Sequence, residues 1–247
     1  NKEEGCYWEG RQASNAYPLF LQSVPEKYQE KVKQSMLNNI RDNDYHLDTG
    51  ITGTPILLNV LADNGLIDIA CKMLARDTYP GYGYMLKNGA TTLWENWDGS
   101  GSHNHPMFGS IVSWFFKYLV GIRTDEKGPG FKNITINPFI PESLDYVRGL
   151  TETGYGKIRV GWTKKPDSII IDIQIPANTD ADIYIPAGEK VYEGEDLIWD
   201  QEEILLDKCQ GINECKVIEN CNFKQNKLLF NAGSGHYCFK VYLKGYW

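Results

Sequence analysis

The sequence has few cysteines and lacks long apolar runs. Its six cysteines include no C-x-x-C pair, so a zinc site is not expected. Cys209 and Cys215 could close a small loop, but the reduced thiols of an intracellular enzyme fit equally well. The redox state of Cys209, Cys215 and Cys221 therefore stays open. No segment approaches the roughly 18 apolar residues of a membrane span, so no membrane partner is expected.

The N-terminus shows neither an initiator methionine nor a signal-peptide pattern, and it reads as the middle of a longer protein. Cytoplasmic and secreted locations both stay open. Positive charge is also scarce: 25 basic residues stand against 32 acidic ones, a net charge of −7. Nucleic acid and anionic membranes are therefore not expected partners. Seven tryptophans and fifteen tyrosines provide many rings that can fill a core or stack on sugars and bases.

The first half of the chain has the apolar spacing of amphipathic helices. Tyr28, Val32, Met36 and Ile40 recur every four residues. Thr54 followed by a proline is typical of a helix start. The spacing predicts helices over 14–22 (with Pro18 in its first turns), 25–43, 54–64, 67–76 and 107–120. Such short helix pairs favour a bundle, a solenoid or an α/α toroid.

After Gly121 the apolar spacing changes to two, which is typical of strands. The Gly-Pro-Gly sequence at 128–130, which is unfavourable in helices and strands, separates the two patterns. We predict a first domain over 1–125 and an antiparallel β-sandwich over 126–247. No elements are predicted for 187–230. The strands are predicted over 131–136, 158–162, 168–175, 181–185 and 237–243.

Residues 88–106 are the most unusual stretch of the sequence. They place two tryptophans, two carboxylates and two of the four histidines between glycines. Function concentrates on such loops when a rigid scaffold holds them. A carboxylate between aromatic rings, as Glu95 is between Trp94 and Trp97, loses part of its water and is suited to proton transfer.

Each of these residues also has a purely structural interpretation. Glu95 could cap a backbone amide or pair with a lysine, and at least one of Trp94 and Trp97 is expected to be core. His103 and His105 would point to the same side of an extended loop, but a metal needs further ligands. Asp98 could belong to a plain turn. Three other acidic residues are interpreted as a solvated loop: Asp42, Asp44 and Asp48.

Residues 89–99 read Gly-Ala-Thr-Thr-Leu-Trp-Glu-Asn-Trp-Asp-Gly, and 102–106 read Ser-His-Asn-His-Pro. These motifs resemble those of the bacterial α-L-rhamnosidases of glycoside hydrolase family 78. Upstream, residues 46–54 read His-Leu-Asp-Thr-Gly-Ile-Thr-Gly-Thr, and downstream 152–158 resemble a hairpin of the family's β-domain. The resemblance covers roughly residues 10–186, and its motifs occur in the family's order.

The resemblance implies the later part of an (α/α)6 barrel followed by a β-sandwich, and an inverting hydrolase of rhamnose-containing glycosides. Glu95 matches the family's general base, and His105 matches a histidine that contacts the sugar. Trp94 and Trp97 flank the base; one is expected to shape the surface for the methyl group of rhamnose, and the other to pack behind it. No cofactor or metal is implied by a ligand set in this sequence.

The sequence departs from the family pattern in two ways. The stretch between Glu95 and His105 is shorter than in many relatives, so the sequence does not predict which aglycone the enzyme prefers. Residues 1–45 contain nothing like the family's general-acid motif. We therefore expect a fragment that needs the preceding part of the same enzyme and is nearly inactive alone. The alternatives are a non-catalytic carbohydrate-binding remnant and another (α/α)6 glycoside hydrolase.

Overall fold

A computed structural model describes residues 5–125, 128–207, 209–219 and 226–243. The chain divides into two compact units, with the division between Trp114 and Phe115. The first unit is helical, and the second contains two β-sheets that are mostly antiparallel. Helices followed by sheets were predicted, and this order is confirmed. No helix in the described ranges is long and apolar enough to cross a membrane.

The helices of the first unit bury the apolar positions that the sequence spacing identified. Val32, Met36 and Ile40 are all buried on one face of the second helix. Gly65 ends the third helix in the left-handed conformation, with φ of 74°. The helices are α1 Gln12–Phe20, α2 Glu26–Asp42, α3 Gly53–Asp63, α4 Ile67–Leu74, α5 Tyr82–Lys87 and α6 Ser110–Trp114.

Two predicted helix starts are wrong in detail. Thr54 does not cap α3 but lies in its first turn, where its hydroxyl bonds to the Thr49 hydroxyl at 2.8 Å and the Gly50 carbonyl at 2.9 Å. Pro18 lies in the second half of α1, because that helix begins at Gln12. A proline there removes one backbone donor near the helix end, which costs less than it would in a long helix interior.

The predicted helix over 107–120 is three helical segments of different type. A 3₁₀ turn covers Pro106–Gly109, α6 follows, and a π-helical segment covers Phe115–Val120. Apolar spacing does not separate these types, because all three repeat every three to five residues. Gly121 then ends the π segment with φ of 81°, and a Cβ there would collide with the backbone of Asn137 and Pro138.

The second unit is a β-sandwich with a five-stranded and a six-stranded sheet. The strand orders are β1-β2-β6-β10-β9 and β3-β4-β5-β11-β7-β8. Isoleucine, valine and phenylalanine side chains from both sheets share one buried core. The strands are β1 Ile122–Thr124, β2 Asn133–Ile136, β3 Tyr146–Thr153, β4 Gly156–Lys164, β5 Ser168–Ile175, β6 Asp180–Pro186, β7 Lys190–Glu193, β8 Asp196–Trp199, β9 Ile212–Ile218, β10 Lys227–Ala232 and β11 Gly235–Tyr242.

A purely antiparallel sandwich was predicted, but one strand pair is parallel. β2 and β6 pair in parallel, with Ile134 beside Ala181 and Ile136 beside Ile183. Alternation of apolar residues shows which face of a strand is buried, but not the direction of its neighbour. Three strands also lie within residues 187–230, where none was predicted, and a fourth, β10, begins there. Two of them, β7 and β8, have only four residues each, too few for a clear alternation.

Candidate active site

The loop of 88–106 lies between α5 and the 3₁₀ turn, and it folds back on itself. The His105 N–H donates to the Leu93 carbonyl at 2.8 Å, and the Glu95 N–H donates to the Ser102 carbonyl at 2.8 Å. These two bonds place the segments on either side of the bend next to each other. They bring together Trp94, Glu95 and His105, which are up to eleven residues apart in sequence.

The tip of the loop is closed by a side-chain turn at Asp98. Its Oδ1 accepts hydrogen bonds from the Ser100 hydroxyl at 2.7 Å and the Ser100 N–H at 2.9 Å. These bonds lower the pKa of Asp98, because they favour the ionised carboxylate. Asp98 therefore has the turn-forming role that the sequence left open for it.

Glu95 is held by the backbone of the opposite segment. Its Oε2 accepts a hydrogen bond from the Ser102 N–H at 3.0 Å, so Ser102 contacts both the backbone and the side chain of Glu95. Its Oε1 has no hydrogen-bond partner among the described residues. Gly101 lies against the carboxylate, with φ of 80°, and a Cβ at that position would come within 2.7 Å of Oε2.

The two tryptophans beside Glu95 are both buried, but in different surroundings. Trp97 packs on Phe108 with ring centroids 3.9 Å apart, and its indole N–H donates to the Thr49 carbonyl at 2.7 Å. Trp94 stacks on the His103 ring at a centroid distance of 5.0 Å. Trp97 therefore ties the loop to the helical core, which is the structural interpretation that the sequence allowed for one of the pair.

The two histidines of the loop differ in how their polar atoms are satisfied. His103 Nε2 lies 2.7 Å from the Gly99 carbonyl, so that nitrogen carries the proton and donates it. His105 Nε2 is buried and has no hydrogen-bond partner among the described residues. A buried polar atom without a partner is costly in a folded protein, and it points to a ligand that would complete it. No group of three or more possible metal ligands occurs in the described ranges.

Asp48 is exposed, like Asp42 and Asp44, so the predicted solvated loop is confirmed, and Asp48 also bonds to Gln12 of α1. Its Oδ2 accepts from the Gln12 N–H at 3.3 Å, and its own N–H donates to Gln12 Oε1 at 3.0 Å. Partial burial of its carboxylate raises the pKa of Asp48, although the residue as a whole is exposed. Asp48 also directly precedes Thr49, which accepts the bond from Trp97. The acidic composition correctly predicted an exposed loop but gave no signal for the bonds between Asp48 and Gln12.

Cys209 and Cys215 are free thiols in the described structure, and Cys221 lies outside the described residues. Burial, and secondarily the neighbouring Cys209, raises the pKa of Cys215 to about 12. The Cys215 thiol is therefore protonated and weakly nucleophilic near neutral pH.

Comparisons with known proteins agree with this arrangement of helices, loop and sandwich. The bacterial alpha-L-rhamnosidase six-hairpin glycosidase domain matches residues 2–119, and the bacterial alpha-L-rhamnosidase C-terminal domain matches residues 121–197. Both matches are to domains of bacterial alpha-L-rhamnosidases, which are glycosidases. An alpha-L-rhamnosidase of Formosa agariphila is 31% identical over 241 residues, which are 93% of this chain and 24% of that protein.

Two solved structures have the same fold over nearly the whole chain. The alpha-L-rhamnosidase from Dictyoglumus thermophilum superposes with a TM-score of 0.81 and 33% identity, covering 94% of this chain and 25% of that one. The Streptomyces avermitilis alpha-L-rhamnosidase, solved with L-rhamnose bound, gives a TM-score of 0.77 and 25% identity, covering 93% and 21%. The chain belongs to the bacterial α-L-rhamnosidase family, and it spans about a quarter of the length of these relatives.

Proposed function

We propose that these residues are the C-terminal part of an inverting α-L-rhamnosidase, which hydrolyses terminal α-L-rhamnosyl residues from glycosides. The observation that carries the proposal is the state of Glu95: Oε2 is held by the Ser102 N–H at 3.0 Å, while Oε1 has no partner among the described residues. A fixed carboxylate with one free oxygen is what a general base needs to orient a water molecule.

In this mechanism Glu95 accepts a proton from a water molecule as that water attacks the anomeric carbon. The leaving glycosidic oxygen receives its proton from an acid on the opposite face of the sugar. An inverting enzyme holds these two groups about 6.5–9.5 Å apart, which leaves room for the water. The hydrogen bond from Ser102 to Oε2 orients the Glu95 carboxylate and leaves Oε1 available to accept the proton from water.

His105 and the two tryptophans form the rest of the proposed sugar site in this chain. The unpartnered Nε2 of His105 is assigned to a hydroxyl of the rhamnosyl ring. Trp94 is assigned to the apolar surface that receives the methyl group of the 6-deoxy sugar. Trp97 packs behind the loop and holds it to Thr49. L-rhamnose in the Streptomyces avermitilis structure supports the substrate class.

The general acid and the remaining barrel helices are proposed to come from outside these 247 residues. The matched relatives are about four times longer than the part that this chain covers. We propose that residues 1–125 are the later portion of an (α/α)6 catalytic barrel and that 126–247 are the C-terminal sandwich. Residues 1–125 therefore do not form a complete active site without the rest of the enzyme.

The stereochemistry of the first product tests the proposed reaction. The enzyme that contains these residues is incubated with an aryl α-L-rhamnoside, and the reaction is followed by proton NMR. We expect β-L-rhamnose to form first and then to mutarotate. Initial formation of the α-anomer would contradict the inverting mechanism. Release of other sugars from a panel of aryl glycosides, with none from the rhamnoside, would favour a different glycosidase.

A further inference from the structure

A depression of about 460 Å³ lies in the six-stranded sheet, over β3, β4 and β5. Its volume is within the roughly 300–1,000 Å³ of small-molecule sites. Neither Glu95 nor any residue of its loop contributes to the lining, so this feature is independent of the proposed hydrolytic site. Its polar and exposed lining residues are Arg148, Leu150, Arg159, Gly161, Thr163 and Asp172.

The depression exists because a glycine occupies the middle of a row of side chains. In the register of the sheet, Gly161 of β4 lies between Arg148 of β3 and Asp172 of β5. Side chains of directly opposed residues share one face of a sheet, so the missing side chain leaves a gap there. A Cβ added at Gly161 would meet the Cγ of Arg148 at 3.4 Å, so the arginine stem borders this gap.

Two arginines line the gap, and neither forms an ion pair with a described carboxylate. Arg159 is opposite Leu150 and diagonal to Arg148, which places both arginines on one face. The Arg148 guanidinium lies 5.9 Å from the centre of the Tyr146 ring. In the next row of the same face, by contrast, a lysine and a glutamate are directly opposed, Lys157 and Glu152.

The carboxylate that lines the depression is engaged elsewhere. Asp172 Oδ2 lies 2.9 Å from His236 Nε2, on the side of β5 away from the arginines. The arginines therefore keep unsatisfied donors in a chain whose net charge is −7. A local cationic pair of this kind is a recognition feature for an anion, since a planar guanidinium binds a carboxylate through two parallel hydrogen bonds.

We propose that this depression, the Gly161 site, binds a carboxylate-bearing sugar. The carboxylate of a uronic acid would lie between Arg148 and Arg159. Asp172 Oδ1, the oxygen that does not contact His236, and the Thr163 hydroxyl can bond to ring hydroxyls, since a carboxylate accepts hydrogen bonds and a hydroxyl both donates and accepts. Leu150, which is 45% exposed, offers an apolar surface to the C–H face of the ring. A bare anion would leave most of the volume and the apolar surface unused.

Calorimetric titration of the full chain with D-glucuronate, D-glucose and acetate tests the Gly161 site. Glucuronate and glucose differ at one carbon, a carboxylate in place of a hydroxymethyl group, and acetate carries the charge without the ring. We expect glucuronate to bind with a dissociation constant on the order of 1 mM, which is typical of a small ligand. Glucose and acetate should bind at least about tenfold more weakly.

Four variants locate the binding. Arg148→Gln and Arg159→Gln should each weaken glucuronate binding about tenfold or more, since each removes a charged donor. Arg159→Lys keeps the charge but not the planar fork, and should weaken it less. Lys216→Gln removes one positive charge from the other sheet, on β9, and should leave binding unchanged. Thermal unfolding identifies any variant that fails to fold. Each arginine is replaced in its own variant, so that one variant still tests the site if the other does not fold.

Three results would overturn the proposal. Acetate binding as tightly as glucuronate would mean that the arginines attract anions without recognising a sugar. Equal weakening by Lys216→Gln would mean that overall charge, and not this site, determines affinity. Absence of saturable glucuronate binding up to about ten times the expected dissociation constant would remove the site altogether.

Discussion

At the scale of single residues, the chemistry proposed for the loop depends on polar atoms that have no hydrogen-bond partner in the fold. Leaving a buried donor or acceptor without a partner costs about 1–3 kcal/mol. The loop accepts this cost at His105 Nε2, while it satisfies His103 Nε2 and the indole N–H of Trp97. This contrast within one loop distinguishes His105, the residue proposed to bind the sugar, from the residues that hold the loop in place.

Replacing His105 should separate stability from activity. His105→Leu removes the unpartnered nitrogen, so we expect the free energy of unfolding to stay constant or to rise by about 1 kcal/mol. The kcat/KM of the complete enzyme on an aryl α-L-rhamnoside should fall roughly 10- to 100-fold, because a sugar hydroxyl loses its partner. Urea unfolding and steady-state kinetics measure the two effects. A large loss of stability with unchanged kcat/KM would mean that His105 is structural.

At the scale of elements, the position of the Glu95 carboxylate depends on how the loop bends at Gly101. Gly89 and Gly101, both in this loop, have nearly the same φ, in the left-handed region. Gly101 has φ of 80°, and a Cβ there would come within 2.7 Å of Glu95 Oε2. Gly89 has φ of 81°, and a Cβ there would meet nothing within 4 Å. Comparing substitutions at these two glycines therefore distinguishes the effect of backbone strain from the effect of displacing the Glu95 carboxylate.

Gly101→Ala should therefore impair activity far more than Gly89→Ala. Both substitutions force alanine into the left-handed region, which costs roughly 1–2 kcal/mol of stability. Only Gly101→Ala pushes on Glu95, the proposed general base. We expect it to lower kcat of the complete enzyme by about tenfold or more, since misplacing a catalytic group is costly. Equal kcat values for the two variants, at equal stability loss, would contradict this role of Gly101.

The sequence predicted that a helical part precedes a strand-rich part, but it missed some elements, among them α5 and β3, and their finer geometry. The four-residue spacing of Val32, Met36 and Ile40 predicted α2 because burial of one helix face determines that spacing. The parallel pairing of β2 with β6 was not predictable, because it depends on contacts between distant segments. The π-helical turns of Phe115–Val120 were missed for another reason: they keep a helical apolar pattern while changing the hydrogen bonding.

The sequence indicated which residues belong to the candidate site, but not how they are positioned relative to one another. The motif of 89–99 indicated Glu95 and its two tryptophans, and the structure describes their surroundings. Nothing in the sequence indicated that the Ser102 N–H holds the carboxylate, since a backbone donor leaves no mark on residue identity. The Gly161 site was equally invisible, because it depends on the register of three strands.

At the scale of the whole molecule, the proposed active site is shared between this chain and the rest of a longer enzyme. Loss of the general acid alone is expected to cost about 10²–10⁴ in rate. We therefore expect the 247 residues in isolation to release rhamnose from an aryl α-L-rhamnoside at least that much more slowly than the complete enzyme. Comparable rates for the two, measured with matched protein concentrations, would contradict the shared site.

The measurement that tests the central claim most directly is the activity of Glu95→Gln in the complete enzyme. Asp98→Asn is the matched control, because Asp98 is a carboxylate of the same loop that is bonded to Ser100. With an aryl α-L-rhamnoside, we predict that Glu95→Gln loses about 10²–10⁴ in kcat and that Asp98→Asn keeps activity within about tenfold. Activity that survives Glu95→Gln would place the general base at another residue and contradict the account.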